Sequence, residues 1–95
     1  MRMLPIRTTD EFERDLEDLS RRDKDLDKLW EIVNTLRREA ELDREAYQDH
    51  ALEGRWSDCR DLHIEGDWLL IYKIKDGYLN LVRTGRHKDI FRSWN

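Results

Sequence analysis

The stretch "DWLLIYKIKDGYLNLVRTG", Asp67 to Gly85, leaves this chain few folds. "DWLLIYKI" is nearly continuous apolar, as a strand covered on both faces must be. "KDG" (Lys75 to Gly77) follows, with Gly77 free to take the positive φ of a tight hairpin turn. "YLNLVRT" then returns until Gly85 breaks it, and "RHKDIF" closes the domain as a short turn or helix. Upstream, "WSDCRDLHIE" alternates weakly, with Leu62 and Ile64 on one face and Asp61 and His63 on the other.

A hairpin of this kind needs cover, and the first half of the chain supplies two amphipathic helices. Thr8 with Glu11 is a capping-box signature. Phe12, Leu16 and Leu19 then share one helical face, and Leu26, Leu29, Trp30, Val33 and Leu36 share another, with Asp23 or Asp25 as the second N-cap. Their short connection predicts an antiparallel helical hairpin. "MLPIRTT" reads as an opening strand, which Pro5 demotes toward an edge. The order is β-α-α-β-β-β: an α+β fold, a helical hairpin packed on an antiparallel sheet, with residues 1–95 as one domain. Both helices are expected to pack on Leu62, Ile64, Leu70, Tyr72 and Val82.

Cys59 is the only cysteine, so no intrachain disulfide forms, which fits a reducing compartment. The N-terminus lacks a signal-peptide h-region, and no apolar run approaches a membrane span of ~18 residues. The expected location is the cytoplasm, with no membrane partner. Net charge is −4, and residues 1–46 hold 10 Lys+Arg against 14 Asp+Glu while residues 47–95 hold 8 of each and all three histidines. Any polyanion site is therefore local and lies in the second half.

The rims of the hairpin carry groups that strands do not need: His63, Asp67, Arg83 and His87, with His50 in the preceding loop. Each has a plain reading taken singly. Loop histidines are usually solvated, Asp67 can be a turn aspartate before a core Trp68, Arg83 an edge blocker, and Phe91 a core lid. Three histidines could also meet on zinc, although no H-x-x-x-H or C-x-x-C spacing exists. A meander, however, brings His63 and Asp67 at one turn beside Arg83 and His87 at the end of the neighbouring strand. Imidazoles, a carboxylate and a fixed cation are what metal-free RNA cleavage requires. A base takes the ribose 2′-OH proton, an acid protonates the departing 5′ oxygen, and a cation meets the charge gathering on phosphorus. Free histidine titrates near ~6.5 and serves in either role. An exposed aromatic would stack a base beside the scissile bond.

"YQDHALEGRW", "CRDLHIEGDWLLIYKI" and "LVRTGRHKDIF" together resemble the YafQ branch of the RelE/ParE toxin superfamily. The resemblance runs from about Tyr47 to Phe91. It implies the toxin of a type II toxin–antitoxin system, a ribosome-dependent mRNA endonuclease (mRNA interferase) acting without a metal or other cofactor. His50, His63, Asp67 and His87 fall on the family's acid–base positions and Arg83 on its phosphate-stabilising arginine. Trp68 and Phe91 fall on aromatic substrate positions, and Arg86 and Lys88 are basic candidates for substrate binding. The implied partners are the ribosome, mRNA and a small antitoxin, of the ribbon-helix-helix, DinJ-like kind, through which operator DNA is bound. Ala51, Gly66, Asp58 and Cys59 depart from the family's usual residues, and the acidic balance weakens the counterion-release contribution to RNA binding. The ParE branch offers an alternative, a gyrase-inhibiting binding module that does not need the histidine set. A degenerate toxin that keeps only antitoxin binding is the other.

Overall fold

A computed structural model of the chain describes residues 3–38 and 45–91. The tail beyond Phe91, including Arg92 and Trp94, lies outside the described residues. The order is β1 (Ile6–Thr8), α1 (Asp10–Arg21), α2 (Leu26–Arg37), β2 (His50–Ala51), a 3-10 turn (Gly54–Trp56), β3 (Arg60–Glu65), β4 (Trp68–Lys75), β5 (Tyr78–Arg86) and α3 (His87–Phe91). The five strands form one sheet in the order β1-β5-β4-β3-β2. No helix among the described residues is long and apolar enough to cross a membrane.

The hairpin read from the sequence is the centre of this sheet. Asp76 and Gly77 turn between β4 and β5 with φ 57° and 78°, the geometry of a two-residue hairpin. β4 is apolar throughout its first half because both its faces are covered. On one face Leu62, Trp68, Leu70, Tyr72, Leu79 and Leu81 pack with Phe12, Leu19, Leu29, Ile32, Val33 and Leu36 of the two helices. On the other, Leu69 and Ile71 pack with Cys59 and Ile90, flanked by Leu52, Trp56, Val82 and Phe91. The α+β fold is as expected.

Several details differ from the expectation. β1 joins the sheet parallel to β5, Ile6 opposite Leu79, so the sheet is mixed rather than antiparallel. Two helices between β1 and the rest carry the chain back far enough to make a parallel pairing possible. Val82 belongs to the face away from the helices, because Leu79 and Leu81 face them and side chains alternate along β5. The cap of α1 is Thr9, not Thr8: its Oγ1 accepts from Phe12 N at 3.0 Å and donates to Val82 O at 2.7 Å. Asp25 caps α2. Gly85 does not end β5, which runs to Arg86. Gly85 has φ +153°, a backbone conformation that side chains with a Cβ rarely adopt, so the path from β5 into α3 favours glycine.

Candidate active site

The sheet face opposite the helices is where the predicted chemistry gathers. Strand periodicity sets this up: Asp61 pairs with Ile71, His63 with Leu69 and His50 with Asp61, all on the Leu69/Ile71 side. α3 begins at His87, directly after β5, and the His87 N–H donates to Asp67 O at 2.9 Å. That bond ties the β3–β4 turn to the start of α3. The structure thus brings elements carrying His50, His63, Asp67 and His87 to one end of one face.

At the centre of this group sits a residue that sequence reasoning missed, Asp61. It is 2% exposed. Burial pushes its carboxyl above the ordinary carboxylate range, and the charges of His50, His63 and His87 pull it back, with Asp49 adding to the upward push. One buried carboxylate therefore lies within electrostatic reach of all three imidazoles. The signal was present in "RDLH": a two-residue spacing puts Asp61 on the same strand face as His63.

Two of the imidazoles have their tautomer set by backbone carbonyls. His50 Nδ1 lies 2.8 Å from Gln48 O and 3.1 Å from Asp61 Oδ1. Gln48 O is the better aligned acceptor, and the Asp61 contact is electrostatic, since its Oδ1 makes no directed hydrogen bond. His63 Nδ1 lies 3.2 Å from Gly66 O. A carbonyl can only accept, so both rings carry a proton on Nδ1, and in the neutral ring the lone pair is on Nε2. His87 is exposed, and its ring packs on Phe91 with centroids 4.7 Å apart and planes at 51°. Asp67 is exposed in the turn.

Arg83 and Trp68 are placed differently from the expectation. Arg83 gives Nε and Nη2 to Asp15 of α1 at 2.7 and 3.1 Å, and Thr84 N also donates to Asp15 Oδ2 at 3.1 Å. This hydrogen bond holds the guanidinium protonated and commits its charge to the α1 side of the sheet edge. Trp68 is not an aromatic that stacks on substrate. It is 0% exposed in the core beneath the helices, with Nε1 donating to Thr84 Oγ1 at 3.0 Å. The register that sends Leu69 to the histidine face sends Trp68 away from it. Phe91 is half-buried, its ring against that of His87. Arg86 Nε donates to Asp89 Oδ2 at 2.9 Å, and Lys88 is exposed on α3. Among the described residues no three His, Cys, Asp or Glu side chains converge at metal-holding spacing.

Asp61→Asn separates the two consequences of this burial. The raised carboxyl opposes folding while it is ionised, so its stabilising contribution is present only below the unfolded-state value of about 3.9 and is lost as pH rises through the folded-state value. The variant should melt above wild type near pH 7, with the difference closing below about pH 4, while RNA cleavage falls. Melting curves from pH 3 to 8 check the first point; a variant less stable at pH 7 would show that the carboxylate is held favourably.

The family described as "Bacterial toxin of type II toxin-antitoxin system, YafQ" matches residues 4–92. The mRNA interferase toxin YafQ of Escherichia coli K12 is 36% identical over 86 residues, 90% of this chain and 94% of that protein. The structure resembles that of the toxin in the E. coli DinJ-YafQ toxin-antitoxin complex, with TM-score 0.84 and 35% identity over 94% of this chain and 98% of that one. It also resembles a metal-bound toxin from Helicobacter pylori, with TM-score 0.85 and 40% identity over 94% of this chain and all of that one (100%). With nearly its whole length matched at this level, the chain belongs to the YafQ family of type II toxin–antitoxin toxins.

Proposed function

We propose that this toxin is an mRNA interferase that cuts mRNA on the ribosome by metal-independent attack of the ribose 2′-OH. The observation that carries the reading is the buried carboxylate of Asp61 on the histidine face, within electrostatic reach of three imidazoles, two of which meet a backbone carbonyl through Nδ1 and so leave Nε2 for the substrate. His50 Nε2 accepts the 2′-OH proton. The imidazolium that forms is stabilised by Asp61, 3.1 Å from Nδ1. The 2′ oxygen attacks phosphorus, and His87, in its protonated form, donates to the departing 5′ oxygen. His63, protonated on both nitrogens, donates through Nε2 to the phosphate between them, and Asp67 holds α3 through its backbone carbonyl while its carboxylate lines the rim.

Phe91 bears on the nucleotide beside the scissile bond, and Arg86 and Lys88 meet RNA phosphates. Arg83 takes up the charge developing on phosphorus only in the orientation Asp15 imposes. The natural inhibitor is an antitoxin of the kind that DinJ is to the E. coli YafQ, acting in the cytoplasm.

The test uses the purified chain treated with EDTA and then desalted. Added to ribosomes programmed with mRNA in intact magnesium, it should cut as well as untreated protein by primer extension, and leave the same mRNA uncut without ribosomes. Activity lost on chelation and restored by zinc or copper would overturn the metal-independent reading.

A further inference from the structure

The residue next to the proposed base is buried on the other side of the sheet. Asp49 immediately precedes β2, so its side chain points opposite to that of His50. That side chain is 0% exposed. It accepts from Arg60 Nε at 2.6 Å and from the Tyr72 hydroxyl. Arg60 lies on β3 and Tyr72 on β4, directly opposite one another. Asp49 therefore reaches past its neighbouring strand to the second strand in. Burial, then the hydrogen bond to Asp49, keep the Tyr72 hydroxyl well above its usual range, so it stays a donor.

The backbone around His50 has little else to hold it. β2 is a two-residue edge strand with two register pairs, His50 with Asp61 and Ala51 with Arg60. Tyr47 O and Leu52 N anchor the flanks to His63 N and Cys59 O. Gln48, between, stands at φ +53°, a left-handed conformation that costs energy for a non-glycine residue and persists only where its surroundings impose it. That conformation aims Gln48 O at His50 Nδ1. The anchor on Asp49 and the carbonyl on Gln48 act on one ring from its two preceding residues.

We infer that Asp49 is the positioning residue for His50: its buried bonds to Arg60 and Tyr72 hold the chain so that Gln48 O and Asp61 set the imidazole's tautomer and direction. This rests on the reading of His50 as base. Asp49 does not touch RNA. It acts through the ring, and a misplacement of about 1 Å at a reacting group costs on the order of 10²-fold.

The test is Asp49→Ala, with Tyr72→Phe as a milder variant that keeps the ring and loses one donor. Histidine ring 15N NMR should show His50 losing its fixed Nδ1–H tautomer in Asp49→Ala, and less so in Tyr72→Phe, with the rings of His63 and His87 unchanged. The kcat for cleavage should fall roughly 10²-fold in the wild-type background and not further in a His50→Ala background. A His50 ring tautomer identical to wild type in both variants overturns the inference. So does an equal kcat loss from Asp49→Ala with or without His50, the mark of general destabilisation. If Asp49→Ala does not fold, Tyr72→Phe decides by the same two readings. Should His50→Ala itself cleave normally, the base assignment fails, and the NMR arm still decides whether Asp49 places the ring.

Discussion

His87→Ala is expected to reduce mRNA cleavage by about 10²–10⁴-fold, the usual contribution of a positioned proton donor, and to leave the melting temperature nearly unchanged. His87 is exposed at the first position of α3, and what it gives the fold is its backbone N–H to Asp67 O, which alanine keeps. Alanine gives up the ring packing against Phe91 at the surface, and surface changes of this kind cost within about 0.5 kcal/mol. Primer extension on ribosome-bound mRNA, beside a melting curve, reads both quantities. Wild-type cutting would remove His87 from the reaction. Loss of cutting and melting temperature together would make it a structural residue.

Trp68→Ala should show the reverse pattern. The side chain is fully buried among both helices and its Nε1 hydrogen bond ends on Thr84, whose hydroxyl in turn donates to Leu69 O at 2.8 Å. Removing a core tryptophan costs about 3–5 kcal/mol, a large share of the roughly 5–15 kcal/mol that holds a small domain together. The variant should be poorly folded and non-toxic for that reason. Trp68→Leu restores apolar volume without a ring, and its cleavage rate per folded molecule should match wild type. A stable Trp68→Ala protein that cannot cut would return Trp68 to the substrate.

These two residues show what was legible and what was not. The β4–β5 hairpin was readable because apolar run, turn and returning run are neighbours in sequence. The helix faces were readable for the same reason, and Phe12, Leu19, Leu29, Val33 and Leu36 are all core. The histidines were legible as a group because a meander aligns strand ends. Depth was not legible. Trp68 and Leu69 are adjacent and equally apolar, and only the register assigns one to the helix core and the other to the floor of the site. Asp61 looked like any polar strand residue until its cover was known. Long-range partners were also hidden: Asp15, 68 positions from Arg83, is one of many acids on α1, and nothing local marks it as the one that takes the guanidinium. The parallel pairing of β1 with β5 is non-local in the same way.

The central claim is that the RNA itself supplies the nucleophile and the protein only moves protons. A programmed mRNA carrying a single 2′-deoxynucleotide on the 5′ side of the cut tests it most directly. The account predicts no cleavage at that position, while the all-ribose control gives a 5′-hydroxyl on one fragment and a 2′,3′-cyclic phosphate, or the 3′-phosphate from its opening, on the other. Cleavage of the deoxy-substituted mRNA at the control rate, leaving a 3′-hydroxyl and a 5′-phosphate, would contradict it and make water the nucleophile.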